Sequence, residues 1–522
     1  MATDEIYDVI IAGYGPTGMM AAIRLGAMGH RVAVIERYTT LYSLPRVGII
    51  HDDIMRMFQE IGCMEAVLPA THFLPIYELA RNGRVLMSNT VAPMATHGWP
   101  EMTSVYQPAF EAELDRLARA DSNINLFTGE TVAGLQQDRE SVEVSTETAS
   151  GETHTYRGRY LIGADGGNSF VREALGIEYV DLGFDQDWLV IDGRSKNDRS
   201  MSLPQMRQFC EPEQPGMTMQ MGPFNRRWSF MILPDESREE AVRHENVWHR
   251  LDRSEGGTPA DFDLIRVATY KFRSLLAERW RAGRAFLAGD AAHQMPPFLA
   301  QGLCSGFRDA YNLSWKLDLV LHAQAPPSFL DTYEEERSPN ARATIIESAR
   351  VGQNVIERDL ERAAQRDETL LRLNAEMQAR TSQKSLIAFR VPGYEAGVIA
   401  RGTDARGVGD VFPQGRVRLE GREGRFDDLA DRGWLILYRN GEAASALTTN
   451  DLAFWQSLGG NFVGLGEGEG LVVDIDGTYA ALMDEHRCDV ILKRPDYYVF
   501  GAVPDVTLLP GLIADLRQQL SR

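Results

Sequence analysis

A chain of 522 residues is long enough for two or three domains with large apolar cores. With 54 Lys plus Arg against 74 Asp plus Glu the formal net charge is −20, which argues against nucleic acid or an anionic membrane as a partner. Cys63, Cys210, Cys304 and Cys488 are widely spaced without a C-x-x-C pair, so neither a metal site nor a disulfide framework is suggested. No run of 18 or more apolar residues appears, and Thr3-Asp4-Glu5 stands directly before a strand pattern. The expectation is a cytoplasmic protein without a signal peptide.

In chain order, Tyr7 to Ala12 is a continuous apolar strand signal. Gly13-Tyr14-Gly15-Pro16-Thr17-Gly18 follows, then a helical segment to about Met28 and a second strand from Arg31 to Glu36. This is a βαβ unit with G-x-G-x-x-G at its first turn, the arrangement that seats a dinucleotide pyrophosphate on a helix N-terminus. The first glycine makes the turn, the second lets backbone approach the pyrophosphate, and the third lets helix pack on strand. Glu36 is placed to accept hydrogen bonds from a ribose. Arg46 follows Pro45 in a stiffened loop, where it is either a diphosphate clamp or a solvated arginine.

Asp52 to Ile61 is helical by pattern, and strand-like runs at Ile76–Leu79 and Arg84–Met87 flank the hairpin signal Asn82-Gly83. Val105-Tyr106-Gln107-Pro108 leads into a helix from Ala109 to Arg119. Alternation from Ile124 to Leu161 predicts antiparallel strands that return to the first sheet and end at Gly163-Ala164-Asp165-Gly166. Strands at Trp188–Asp192, Met206–Cys210, Met217–Met221 and Arg227–Leu233 then read as a separate mixed sheet, the roof of a pocket. On such strands Gln208 and Cys210 share a face and are substrate candidates. Gln220, Trp228 and Phe230 are further candidates, with core or surface positions as the plain alternative, and His244 and His249 are taken as surface residues.

The stretch Leu287 to Leu303 organises the rest. An apolar run is stopped by Gly289-Asp290, turned by Pro296-Pro297, and continued by Gly302 at the start of a pattern in which Leu303, Phe307, Ala310, Leu313, Leu317 and Leu321 recur at helical steps. A helix N-terminus there carries unpaired N–H groups and partial positive charge. The dinucleotide can be FAD or NAD(P). Asp290, a second acid able to bind ribityl hydroxyls, argues for FAD. His293 is either a base or a satisfied structural histidine. Beyond Pro326-Pro327, Phe329 to about Ser385 is helical and charged, Gly407 to Gly415 reads as a linker, and strands at Trp434–Tyr438, Phe462–Leu465, Val472–Ile475, Val490–Lys493 and Tyr497–Val503 precede a helix from Thr507 to Gln519.

At Gly13–Gly18, Gly163–Gly166 and Gly289–His293 with Pro296-Pro297 and Gln301-Gly302, the chain resembles the single-component flavoprotein aromatic hydroxylases, in particular the 3-(3-hydroxyphenyl)propionate hydroxylase and phenol hydroxylase branch. Two residues depart from that pattern: Ala300 stands where glycine is usual and Cys304 where many members carry asparagine. The resemblance implies an α/β protein with a Rossmann-type FAD-binding domain (1–72, 105–182 and 274–355) and an inserted mixed β-sheet substrate domain (73–104 and 183–273). A helical connector (356–400) and a thioredoxin-like C-terminal α/β domain (401–522) follow; without C-x-x-C, thiol redox work by that domain is not expected.

It further implies FAD held by Gly13, Gly15, Pro16, Thr17, Gly18, Glu36, Arg37, Arg46, Gln107, Asp165, Asp290, Pro297, Gly302 and Leu303, with Arg46 and Arg273 serving NADH or NADPH. Tyr270, Pro297 and His293 are the catalytic candidates, and Tyr270 joins Gln208, Cys210, Gln220 and Trp228 as substrate contacts. The implied reaction is hydroxylation of a phenol, ortho to an existing hydroxyl, by NAD(P)H and O2 through a flavin C4a-hydroperoxide, in a homodimer. A tailoring oxygenase on a larger polyketide-like ring, including Baeyer-Villiger insertion, and a non-catalytic flavin-binding module stand as alternatives.

Overall fold

The strand Ile6–Ala12 is apolar on both faces because both are covered. In the computed structural model, which describes residues 6–198, 202–255, 257–379, 390–402, 405–430 and 432–521, it runs parallel to Val32–Glu36 on one side and to Thr153–Gly163 on the other. Thr3-Asp4-Glu5 and the end of the expected helix near Ser385 lie outside the described residues. The full sheet order is Arg281–Ala282, Ala285–Leu287, Thr153–Gly163, Ile6–Ala12, Val32–Glu36, Ile124–Thr128, and the antiparallel strands Glu130–Gln137 and Val142–Thr148 pair back through Thr153–Gly163. The glycine-motif helix Pro16–Ala27 packs against both Gln107–Ala120 and the long helix Gly302–Leu321.

The second sheet has the order His293–Gln294, Phe262–Ala277, Tyr179–Ser195, Asn225–Met231, Gly216–Met221, Met206–Phe209, Ile76–Arg81, Arg84–Thr90. Asn82 and Gly83 both take positive φ, +49° and +72°, as a two-residue hairpin turn requires. Tyr179–Ser195 and Phe262–Ala277 are 17 and 16 residues long, and the boundaries expected at 182/183 and 273/274 fall inside them.

Strand register sorts this sheet's side chains. Met206, Gln208, Met217, Met219 and Arg227 share one face with Asp192, Arg266 and Tyr270. Ala300, from the turn before the Gly302 helix, packs against the methionine-rich cluster on this inner face. Trp228 and Phe230 project the other way, with Leu189 and Ile191, onto the helix His244–Glu255. His244 and His249 of that helix are exposed, as expected.

The C-terminal unit has a four-stranded sheet ordered Asn461–Gly464, Leu435–Tyr438, Val490–Lys493, Val499–Val503, the first pair parallel and the others antiparallel. With helices Thr449–Ser457, Thr478–His486 and Leu509–Leu520 between and after its strands, this is the thioredoxin-like order. One expectation is corrected and one is refined. The segment read as a linker is docked: Arg406 and Val411 bridge to Ala502 and Tyr498, and Phe412 is fully buried. The charged connector is two helices, Thr332–Ile356 and Leu360–Ala379, and the second lays Leu370 onto the inner-face cluster of the substrate sheet.

Candidate active site

Three sequence-distant motifs meet at the top of the first sheet. Gly13 has φ +101°, and a Cβ there would lie 2.4 Å from the Ala164 carbonyl oxygen, so the first motif touches the second only as glycine. A Cβ on Gly306 would lie 2.3 Å from Thr17 Oγ1, which brings the Gly302–Leu321 helix onto the first motif. Gln294 Nε2 donates to the Gly167 carbonyl at 3.0 Å and joins the third motif to the second. Gly18 packs its helix against the Gly13 carbonyl, whereas a Cβ on Gly15 would meet nothing within 4 Å. The space beside Gly15 is what a pyrophosphate needs.

Other observations fit the same group. Glu36 accepts from Tyr14 N at 2.8 Å and Tyr38 N at 2.9 Å, which fixes its carboxylate beside the glycine loop. Asp290 has no hydrogen-bond partner for its carboxylate among the described residues; crowding by protein raises its pKa although the side chain is open to solvent. The helix starting at Gly302 has no side-chain cap and no acid in its first turn, and the buried Gln301 Nε2 beside it is unpartnered. Leu303 packs on the main core. An open cradle, a free acid and an uncapped helix terminus suit a diphosphate, ribityl hydroxyls and an electron-rich ring edge respectively.

Arg37 is exposed with its guanidinium 4.8 Å over the Tyr38 ring, and Arg46 is exposed 4.6 Å over Tyr42. Gln107 is buried, and its Oε1 accepts from the backbone N–H groups of Arg46 and Val47 while its Nε2 donates to Glu111. It therefore acts on the site through the Arg46 loop. Asp165 accepts from Ser169 Oγ and Val171 N and orders the turn after the second motif.

Ala300 sits at φ +54°, ψ +32°, the left-handed region in which glycine is at ease. Its amide donates to the Pro297 carbonyl at 3.0 Å, so that carbonyl already serves the turn. Cys304 is fully buried, with its thiol pushed up to about 12 by burial, which leaves it unreactive. His293 is also fully buried. Its Nε2 lies 2.7 Å from Asp309, which Arg337 holds from the other side at 2.9 Å. Burial alone would raise the Asp309 pKa, but His293 and Arg337 lower it. This pairing holds one ring nitrogen of His293, while its buried Nδ1 has no partner among the described residues.

Of the six substrate candidates, Tyr270, Gln208 and Cys210 belong to the inner face, and Phe230 packs with Trp228 on the outer one. Period-two alternation turns Gln220 and Trp228 to the outer face, where the Trp228 indole donates to Glu255 at 2.9 Å and the Gln220 amide to Gly222 O at 3.1 Å. Arg273 is exposed on the same strand as Tyr270 but on its other face, 4.0 Å from Asp185.

Sequence reading missed the group that ties roof to floor. Buried Asp192 binds Arg227 at 2.7 Å and Arg266 at 2.6 Å. Arg227 donates onward to the carbonyls of Pro45 and Arg46, and Arg266 to the Tyr270 hydroxyl at 3.0 Å. Three strands supply these charges, so only the register could have revealed them.

A family model described as FAD binding domain matches residues 6–348, and one described as HcaD C-terminal domain matches residues 409–519. The chain is 39% identical over 516 residues to a probable NADH-specific resorcinol 4-hydroxylase of Rhodococcus jostii (strain RHA1), covering 98% of this chain and 94% of that one. It is 32% identical over 516 residues to a 3-(3-hydroxy-phenyl)propionate/3-hydroxycinnamic acid hydroxylase of Mycolicibacterium smegmatis, covering 95% and 90%. The chain belongs to the FAD-dependent aromatic hydroxylases. Among solved structures, the flavin-dependent monooxygenase PieE in complex with FAD and substrate has the same fold, with TM-score 0.84 at 22% identity over 99% of this chain and 100% of that one. As a member of that family this is an NAD(P)H-dependent flavoprotein monooxygenase with FAD as cofactor.

Proposed function

We propose that the enzyme hydroxylates a phenolic ring ortho to an existing hydroxyl, with NADH as the preferred donor: ArH + O2 + NADH + H⁺ gives ArOH + H2O + NAD⁺. The observation that carries this is the packing of Ala300 against the methionine-rich inner face, which sets an apolar surface beside the uncapped start of the Gly302 helix. The NADH preference and the phenolic class are supported by the full-length likeness to the resorcinol and hydroxyphenylpropionate hydroxylases. The solved neighbours, at 22% and 23% identity, speak for the fold alone.

Bound FAD supplies reduction by the nicotinamide and activation of dioxygen; the chain binds, orients and excludes water. N–H groups at Gly302 and Leu303 would hold the electron-rich edge of the flavin ring. Tyr270, whose pKa is raised by burial despite Arg266 beside it, keeps its proton and is assigned to the substrate hydroxyl. The exposed guanidinium groups of Arg46 and Arg273 are assigned to the nicotinamide cofactor. A homodimer belongs to the same proposal, tested by sedimentation. So does a cytoplasmic location, in keeping with four free thiols. NADH oxidation and oxygen uptake that rise together on adding a simple phenol support the reading; FAD-loaded enzyme indifferent to every phenol refutes it.

A further inference from the structure

Buried polar atoms in folded proteins nearly always have a hydrogen-bond partner, and each one without pays the desolvation of the group with no return. On the inner face three neighbouring side chains break this rule together. Tyr77 and Asn89 are cross-strand partners, and Gln208 pairs with Leu79 on the adjacent strand. All three therefore project from the side that carries Leu79, Met206 and Met217. Tyr77 is 4% exposed, Asn89 1% and Gln208 0%. The Tyr77 hydroxyl and both polar atoms of each amide lack a partner among the described residues. Flipping either amide does not help, since both of its ends are unmatched.

Their surroundings are apolar and belong to the same cluster that Ala300 enters from the cofactor side: Met206, Met217, Met219 and Leu370. The guanidinium groups around them are already engaged. Arg81 and Arg366 both pair with Asp367, at 2.8 and 2.7 Å, and Arg366 also donates to Cys210 O at 2.8 Å. Arg227 and Arg266 share Asp192. A carboxylate brought beside Tyr77, Asn89 and Gln208 gains no ion pair from these four arginines, and burying it so is costly. A hydroxyl, which donates once and accepts twice, meets amide oxygens, amide N–H groups and a phenol.

We propose that Tyr77, Asn89 and Gln208 bind a second hydroxyl of the substrate ring, so that the enzyme takes an uncharged benzenediol or more hydroxylated ring and rejects phenols with an acidic side chain. This rests on the phenolic reading above and names its substrate class. The ring lies among the methionines, and the two amides and the Tyr77 phenol hold the hydroxyl remote from the reacting carbon. Burial raises the Tyr77 pKa, so the phenol stays a donor.

The test uses full-length, FAD-loaded enzyme and two probes, resorcinol and 3-(3-hydroxyphenyl)propionate, read by flavin absorbance change and by stimulated NADH oxidation. Wild type is expected to bind resorcinol about tenfold or more tightly than the carboxylate. Gln208→Met and Asn89→Leu, close in volume, are expected to raise KM for resorcinol about tenfold each. The melting temperature of the substrate-free enzyme is expected to hold or rise, because an unsatisfied buried group has been removed. A structural role gives the reverse, a lower melting temperature with KM unchanged, and overturns the proposal. Tyr77→Phe, which keeps the ring and its packing, repeats the test should either amide variant fold poorly. Unchanged resorcinol KM in all three variants, or tighter binding of the carboxylate probe, also overturns it while leaving the monooxygenase reading intact. If FAD-loaded wild type responds to no phenol, that reading falls and takes this proposal with it.

Discussion

Two buried polar regions of this molecule are built on opposite rules. Where the C-terminal unit meets the Gly302 helix, Lys316, Glu336 and Arg494 are fully buried and mutually paired: Glu336 accepts from Lys316 at 2.8 Å and from Arg494 at 2.7 Å, and Arg494 reaches Asp496 at 2.7 Å. Burial alone would raise the Glu336 pKa, yet Arg494 and Lys316 hold it well below the carboxylate range. On the inner face of the substrate sheet, Tyr77, Asn89 and Gln208 are also buried, and their side-chain polar atoms have no partners among the described residues. The first region has its partners within the chain and is structural. The second is left for a molecule that comes and goes.

Breaking the paired region is expected to have the largest effect. Arg494→Met leaves buried Asp496 with the Asn312 amide alone and Glu336 with Lys316 as its one cation, and should cost about 3–5 kcal/mol, read as a large fall in melting temperature with little change in FAD affinity per folded molecule. Next is Asp290→Ala, which removes a free acid instead of a paired one. FAD affinity is expected to fall roughly tenfold or more, for loss of charge-assisted hydrogen bonds of ~1.5–3 kcal/mol, while the ligand-free melting temperature stays near wild type. Equilibrium dialysis of apoenzyme with FAD checks this.

Ala300→Gly sharpens the comparison from the cofactor side. The left-handed backbone at φ +54° strains alanine, so glycine should stabilise the protein by about 1 kcal/mol, measured by urea denaturation. A pH trend at Asp52 is a separate expectation. Burial, and Asp53 beside it, raise its pKa to about 7. A carboxyl whose folded pKa is raised favours the fold while protonated, and that contribution is lost as pH rises from about 4 through 7. Asp52→Asn should gain melting temperature over wild type across that window, with a constant gain above pH 8; a gain that shrinks with rising pH contradicts the assignment.

Local pattern made the cofactor half legible. Gly13, Gly15 and Gly18 between two apolar strands, and Gly302 before a helical repeat, each state their geometry within a dozen residues. Asn82-Gly83 likewise announced its turn. The substrate half was not legible to the same depth. Gln208 was reached through alternation, but Trp228 and Gln220 were placed with it because alternation within one strand does not say which face is inner. Pairing between strands decides that, and it joins Asp192 to Arg227 and Arg266, residues 35 and more apart. Tyr77 and Asn89 gave no signal because an unsatisfied group is recognised only once all its neighbours are known. For His293 the sequence leaves base and structural readings open with the structural one favoured, and Asp309, 16 residues on, is the partner of its Nε2.

The central claim, that this chain puts one atom of dioxygen onto a phenolic ring, is tested most directly by a single turnover of NADH-reduced, FAD-loaded enzyme with resorcinol under ¹⁸O2 and mass analysis of the product. The account predicts a ring carrying one new oxygen, labelled from the gas, for each NADH consumed. Unlabelled resorcinol recovered intact, with all the oxygen converted to hydrogen peroxide across a panel of simple phenols, contradicts it.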